Sequence, residues 1–286
     1  MSASLLDLSG KIDPQLVEIF EVIAGVAAAR NIRYFVVGAT ARDMILGHGH
    51  GIAIKRATAD IDLGVEVADW EEFNILKDEL AATGQFELTR SPQRLIYKHD
   101  LPVDIVPFGP LEHANKKISW PPDHSVRMNV LGFEDAYRNA QTVRLRAGPV
   151  LDIPFASPAG LAVLKIIAWH ARSPEGSKDA EDLAFLMRSY LDAGQQERLA
   201  EEHPDLLDDD DFDYERAGAR LLGRDMAKVM STETREFVLG ILERETDNPK
   251  RYRLVEDMME KFTMSGGVFE ECLGHLEGLK AGIHEG

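Results

Sequence analysis

Asp60 and Asp62 stand two residues apart in the segment from Ala59 to Val67, where Ile61, Leu63, Val65 and Val67 alternate with Asp60, Asp62, Gly64 and Glu66. That period predicts a strand with one apolar face, so the two carboxylates project together from the opposite face, about 7 Å apart. Asp104 lies in Leu-Pro-Val-Asp-Ile-Val-Pro, with Val103 and Ile105 facing one way and Asp104 the other. If the two strands are neighbours, three carboxylates converge on one face. Three hard oxygen ligands suit Mg²⁺, with Mn²⁺ as the substitute, because such ions are held by carboxylates together with substrate phosphates and waters. A pair of these ions stabilises the attacking and leaving oxygens of an in-line phosphoryl or nucleotidyl displacement. A lone D-x-D is equally at home on a solvated strand face; the third acid strand and a glycine turn upstream favour the metal reading.

That turn follows residues 32–37, Ile-Arg-Tyr-Phe-Val-Val, a β-branched and aromatic run ending at Gly38. Gly38 permits close backbone approach. Ala39, Thr40 and the free amides of a short helix, Thr40 to Leu46 and stopped by Gly47, are placed to cradle a triphosphate. Arg42 and Asp43 then either contact nucleotide or pair locally. Lys55 and Arg56 either reach phosphate or are solvated loop charges. His48 and His50 are two ligands where zinc needs more, so they read as part of a loop lining the site.

Val-Val-Gly38-Ala39-Thr40-Ala41-Arg42-Asp43, then Asp60-Ile61-Asp62, then Val103-Asp104-Ile105 resembles the polymerase-β type of nucleotidyltransferase superfamily. The wording Ala41-Arg42-Asp43-x-x-Leu46-Gly47 is also similar to tRNA CCA-adding enzymes. Ala39 departs from the Gly or Ser of that pattern, leaving the serine hydroxyl's role to Thr40 or unfilled. A second block, Leu164-Lys165-Ile166-Ile167-Ala168-Trp169-His170-Ala171-Arg172 with Lys178-Asp179-Ala180-Glu181-Asp182-Leu183, resembles the AbiEii/AbiGii toxins, a family that includes the MenT-type nucleotidyltransferases. The resemblance spans roughly residues 32–190. It implies an enzyme that moves an NMP from an NTP to an acceptor hydroxyl, with Asp60, Asp62 and Asp104 holding Mg²⁺. The Gly38 turn and Lys165 would bind the triphosphate, and Asp104 would activate the acceptor. Lys165 is otherwise a lysine snorkelling from a core helix. Asp179 and Asp182, one turn apart, either orient it, serve as the family's fourth acid motif, or complement the helix dipole.

The elements that must carry these residues predict an α+β chain. A mixed-sheet nucleotidyltransferase domain over 1–155 precedes an all-helical domain over 156–286 that contributes Lys165 to the cleft. Asp13-Pro14 opens a helix to about Arg30, and another runs from about Asp69 to Ala82. Short strands are expected near 86–89, 94–99 and 103–106, then irregular and extended sequence to Pro154. Ser157-Pro158 opens a helix to about Ala171. Further helices are expected at Lys178–Leu191 and near 215–230, 232–245, 250–262 and 267–281.

Composition limits the partners. The 286 residues carry a formal net charge of −17, which argues against a generic nucleic-acid binder. Residues 1–150 hold 16 basic and 20 acidic residues against 16 and 29 in 151–286, so a phosphate-bearing substrate is expected along the first half. Lys116, Lys117, Arg127, Arg138, Arg144 and Arg146 offer a local basic strip there. A tRNA 3′ end is the favoured acceptor, a protein hydroxyl the next and an aminoglycoside-like small molecule the third. A nucleotide-binding module with degraded activity is the alternative from another class. No apolar run approaches ~18 residues, so a cytoplasmic protein without membrane contact is expected. The run from Asp205 to Glu215 reads as a solvated linker or a docking face for a basic antitoxin. The lone Cys272 reads as a small buried hydrophobe.

Overall fold

Between residues 33 and 155 the β-branched and aromatic runs join one mixed sheet in the computed structural model, which describes residues 5–54, 58–172, 177–207, 212–247, 252–259 and 267–286. The chain divides into a unit of Met1–Ser157 and a unit of Pro158–Gly286. In the first, β1 (Leu6–Asp7) precedes α1 (Pro14–Arg30), β2 (Arg33–Val37) and α2 (Gly38–Arg42). Next come β3 (Ile61–Glu66), α3 (Trp70–Ala82), β4 (Phe86–Leu88), β5 (Arg94–Tyr97) and β6 (Leu101–Phe108). After β7 (Lys117–Ser119) and β8 (Arg127–Asn129), which pair by themselves, the unit ends with α4 (Phe133–Arg138), β9 (Gln141–Ala147) and β10 (Val150–Phe155). The main sheet runs β1-β9-β10-β2-β3-β6-β5-β4. The helix starts follow their sequence signals: the Asp13 carboxylate accepts from the Gln15 amide beside Pro14, and Asp69 accepts from the Glu72 amide while Glu72 reaches back to the Ala68 amide.

Registers assign the faces. Phe155, Val36, Leu63 and Ile105 are cross-strand partners in series, and Phe20 of α1 packs edge-on against Phe155 with ring centres 5.6 Å apart. That face is the buried core. On the other face a first row holds Val37, Asp62, Asp104 and Arg94, a second holds Phe35, Gly64 and Val106, and a third holds Arg33, Glu66 and Phe108. The rings of Phe133 and Tyr137, from α4, cluster with Phe35 and Phe108 over the lower two rows. The half-buried first row carries the carboxylates.

Three local expectations are corrected. Helix α2 starts at Gly38 rather than Thr40 and continues through Gly47 as a π-helix over Asp43–Gly49. A Cβ on Gly47 would lie 2.9 Å from Ile54 Cγ1, so the bare backbone there leaves room for that side chain. Asp60 lies one residue before the strand rather than on it. Helix α4 occupies sequence expected to be extended. It is six residues long and begins at left-handed Gly132 (φ 84°) without a side-chain cap, so neither periodicity nor capping announced it.

The second unit is helical among its described residues: α5 (Pro158–Arg172), α6 (Lys178–Ser189), α7 (Gln196–Glu202), α8 (Tyr214–Val229), α9 (Thr232–Thr246), α10 (Arg253–Met259) and α11 (Val268–Glu285). Asp225 on α8 ties this layer together, accepting from the Tyr190 hydroxyl at 2.5 Å and from Arg198 at 2.9 and 3.0 Å. Cys272 is buried on α11. Among the described residues no helix is long and apolar enough to cross a membrane.

Gly64 is the contact on which the aromatic cover closes, because a Cβ there would sit 2.3 Å from Phe35 Cε1 and 3.2 Å from Phe133 Cδ1. Gly64→Ala is expected to cost about 1–3 kcal/mol through overpacking and to lower the thermal midpoint by several degrees. An unchanged midpoint would contradict the stacking of Phe35 over Gly64.

Candidate active site

The first row of the open face is built by register. Strands β3 and β6 run parallel with Asp62 paired to Asp104, and β5 runs antiparallel to β6 with Arg94 paired to Asp104. Cross-strand partners share a face, so Asp62, Asp104 and Arg94 stand side by side. The Arg94 guanidinium forks onto Asp104, Nε donating to Oδ1 at 2.7 Å and Nη2 to Oδ2 at 2.6 Å. The same Nη2 is 3.6 Å from Asp60 Oδ2. Its hydrogen bonds to Asp104 raise the pKa of Arg94 against a smaller desolvation cost, and the fields of Asp104, Asp60 and Asp62 add, so it stays charged. Three acids and one base leave the cluster a formal −2.

The glycine turn reaches both members of the D-x-D. Gly38 has φ 67°, and a Cβ on it would lie 2.0 Å from Asp62 Oδ2. Only a residue without a side chain lets this carboxylate rest against the turn. Two residues on, the buried Thr40 hydroxyl donates to the Asp60 carbonyl at 2.9 Å, so its proton is used to hold the start of the acid strand. Ala39 is buried in the core and brings no hydroxyl. Arg42, also buried, donates from Nε to Asp43 Oδ1 at 2.8 Å, and the other Asp43 oxygen accepts from Thr58. The Arg42–Asp43 pair thus braces the approach to Asp60.

In the helical unit, Lys165 of α5 lies 3.0 Å from Asp179 Oδ1 and 2.5 Å from Asp182 Oδ2, both on α6, and Arg172 is 3.1 Å from the other Asp179 oxygen. Burial by itself pulls the Lys165 ammonium down; the two aspartates outweigh it and hold the pKa above its usual value. The two acids therefore fix this lysine in place and in charge.

The basic strip is largely compensated. Lys116 pairs with Glu112, Arg138 with Glu134, Arg144 with Asp152 and Arg146 with Glu21. Lys117 and Arg127 have no ion pair among the described residues. His48 and His50 are exposed. Lys55, Arg56 and the acids Asp208 to Asp211 lie outside the described residues. Glu215, Glu271 and His275 form the one acid–histidine trio among the described residues whose ligand atoms lie within 4.8 Å of one another. Arg188 lies between its members, 3.5 Å from Glu215 and 2.9 Å from Glu271.

Arg94 was missed at the level of sequence. Its signal was the alternation itself: Leu95 and Tyr97 are buried, so Arg94 faces the other way, and the turn after Tyr97 pairs it with Asp104.

A model of the AbiEii nucleotidyl transferase toxins, a type IV toxin–antitoxin family, matches residues 23–263. No curated protein matches the sequence. Among solved structures the chain is similar to the antibiotic-resistance factor ANT(2'')-Ia, at 15% identity over 68% of this chain and 98% of that one, with a TM-score of 0.37. It is similar to a CCA-adding enzyme in complex with ATP, at 14% identity over 91% and 70% of the two chains, with a TM-score of 0.33. The Thermotoga maritima CCA-adding enzyme complexed with tRNA gives 12% identity, 97% and 83% coverage and a TM-score of 0.26. The family match takes in the glycine turn, both acid strands and the Lys165 helix, and the chain is a nucleotidyltransferase belonging to the AbiEii toxin family.

Proposed function

We propose that the chain transfers an NMP from an NTP to an acceptor hydroxyl, with Asp60, Asp62 and Asp104 holding the divalent metal, Mg²⁺ or Mn²⁺. The observation that carries this reading is the first row: two in-register carboxylates, a third one residue ahead of the strand, and a glycine turn shaped around Asp62. The donor set fits, since all three are hard oxygen ligands and the cluster keeps a formal −2 after Arg94 is counted. When bound, such an ion supplies charge stabilisation to the displaced phosphate oxygens.

The chain's own residues do the rest. Gly38, Ala39 and Thr40 open a helix without a side-chain cap, and their amides face the triphosphate role. Lys165, kept charged by Asp179 and Asp182, is a fixed ammonium of the kind that binds phosphate. The acceptor oxygen forms a bond to the α-phosphorus as the bond to the bridging oxygen of the β-phosphate breaks and pyrophosphate leaves. Asp104 takes the hydroxyl proton. A tRNA 3′ end is the favoured acceptor on the family resemblance, ahead of a protein hydroxyl or a small molecule. Consistent with type IV toxins, the reading has expression arrest growth and a partner antitoxin relieve it.

Purified protein incubated with each α-labelled NTP, Mg²⁺ and either total tRNA or lysate protein is expected to place label in tRNA; label in protein would move the acceptor, and label in neither would refute transfer. Asp104→Asn is expected to lower the rate roughly 10²–10⁴-fold, the range of a lost general base, and Asp60→Ala to abolish it with the fold intact. Wild-type transfer by either variant would sink the assignment. Gly38→Ala forces a side chain into the left-handed region, at about 1–2 kcal/mol, and against the Asp62 carboxylate. Transfer is expected to fall at least tenfold while the protein stays folded by circular dichroism, and full transfer would contradict the role of the turn.

A further inference from the structure

The three carboxylates are held in different ways. Asp62 rests against the bare backbone of Gly38, and Asp60 is held through its carbonyl by Thr40. Asp104 is held through both oxygens of its carboxylate, and the holder is a cation: Arg94 occupies one oxygen with Nε and the other with Nη2. The same guanidinium is within 3.6 Å of Asp60 and on the same sheet face as Asp62. It therefore sits among the donors that a divalent ion would use. A guanidinium forked on both oxygens of Asp104 and a doubly charged ion on the same carboxylate repel one another and draw on the same two oxygens.

We propose that Arg94 is a resident counter-cation of the carboxylate cluster that competes with the divalent metal for Asp104, so that metal loading requires the guanidinium to release the carboxylate that takes the acceptor proton. This rests on the reading of Asp60, Asp62 and Asp104 as metal ligands. Arg94 is then a positioning residue. Without metal it keeps Asp104 in the row and its charge compensated, and neither oxygen is available as a base. With metal, the released carboxylate gains a free oxygen. Lysine at this position keeps the charge but cannot fork, and glutamine can bond but carries none.

The test is Mn²⁺ binding to the full chain without nucleotide, read from the free-ion electron paramagnetic resonance signal, in wild type, Arg94→Ala, Arg94→Gln, Arg94→Lys and Asp62→Asn. Arg94→Ala and Arg94→Gln are expected to bind Mn²⁺ about tenfold tighter or more, as one adjacent opposite charge changes a carboxylate's affinity for a proton by that much. Arg94→Lys is expected to fall between them and wild type, and Asp62→Asn to bind weakly. The thermal midpoint of Arg94→Ala should rise more with added Mn²⁺ than that of wild type, which checks the order in a variant that folds less well. If Mn²⁺ binds in an Asp62-dependent way but with equal or lower affinity in both neutral variants, the competition is refuted and the metal site stands. If binding is absent or insensitive to Asp62, the metal site falls and the competition falls with it.

Discussion

The parallel pairing of β3 with β6 is the constraint on which the site depends. With Asp62 opposite Asp104, carboxylates from segments some forty residues apart come to neighbouring strands, roughly 4.8 Å apart in the sheet. The opposite face of the same strands, Ile61, Leu63 and Val65 against Val103 and Ile105, is buried. A slip of one residue would turn Asp104 into that core, where an unpaired charge is expensive. The apolar face thus fixes the register, and the register fixes the acids. A parallel pair also needs a crossover connection, here α3 with β4 and β5, and that connection brings Arg94 to the far side of Asp104.

Exposure separates the two charged clusters of the chain. Arg94 and Asp104 have side chains 37% and 17% exposed, so water reaches the pair and compensates either partner when they part. Such a pair exchanges partners at little cost. Asp179 and Asp182 are more enclosed, at 10% and 7%, and taking Lys165 from them leaves buried charge without compensation. One cluster is built to change and the other to hold. The net charge of −17 acquires a similar division: acids of the first row are the proposed metal ligands, and four others in the first unit are paired with Arg144, Arg146, Arg138 and Lys116.

Much of this was legible in the sequence. Period-two alternation placed Asp62 and Asp104 on one face, with Asp60 one residue ahead of its strand, and proline after a capping residue placed the starts of α1 and α5. What escaped was set by tertiary contact. Helix α4 exists because Phe133 and Tyr137 have Phe35 and Phe108 to pack on, a reason absent from its own six residues. The place of Thr40 after Gly38 says nothing of where its hydroxyl proton goes, which is the Asp60 carbonyl, a partner twenty residues away. Arg94 escaped because a lone arginine on a short strand says nothing until the β5–β6 register is known.

The most direct measurement is a crystal structure of the full chain with Mn²⁺ and a non-hydrolysable NTP, with the metal located by its anomalous scattering. Mn²⁺ is expected on Asp60, Asp62 and Asp104, the triphosphate on the Gly38 turn, and Arg94 turned away from Asp104. Manganese bound elsewhere, with the Arg94–Asp104 fork intact beside a bound nucleotide, would contradict that expectation.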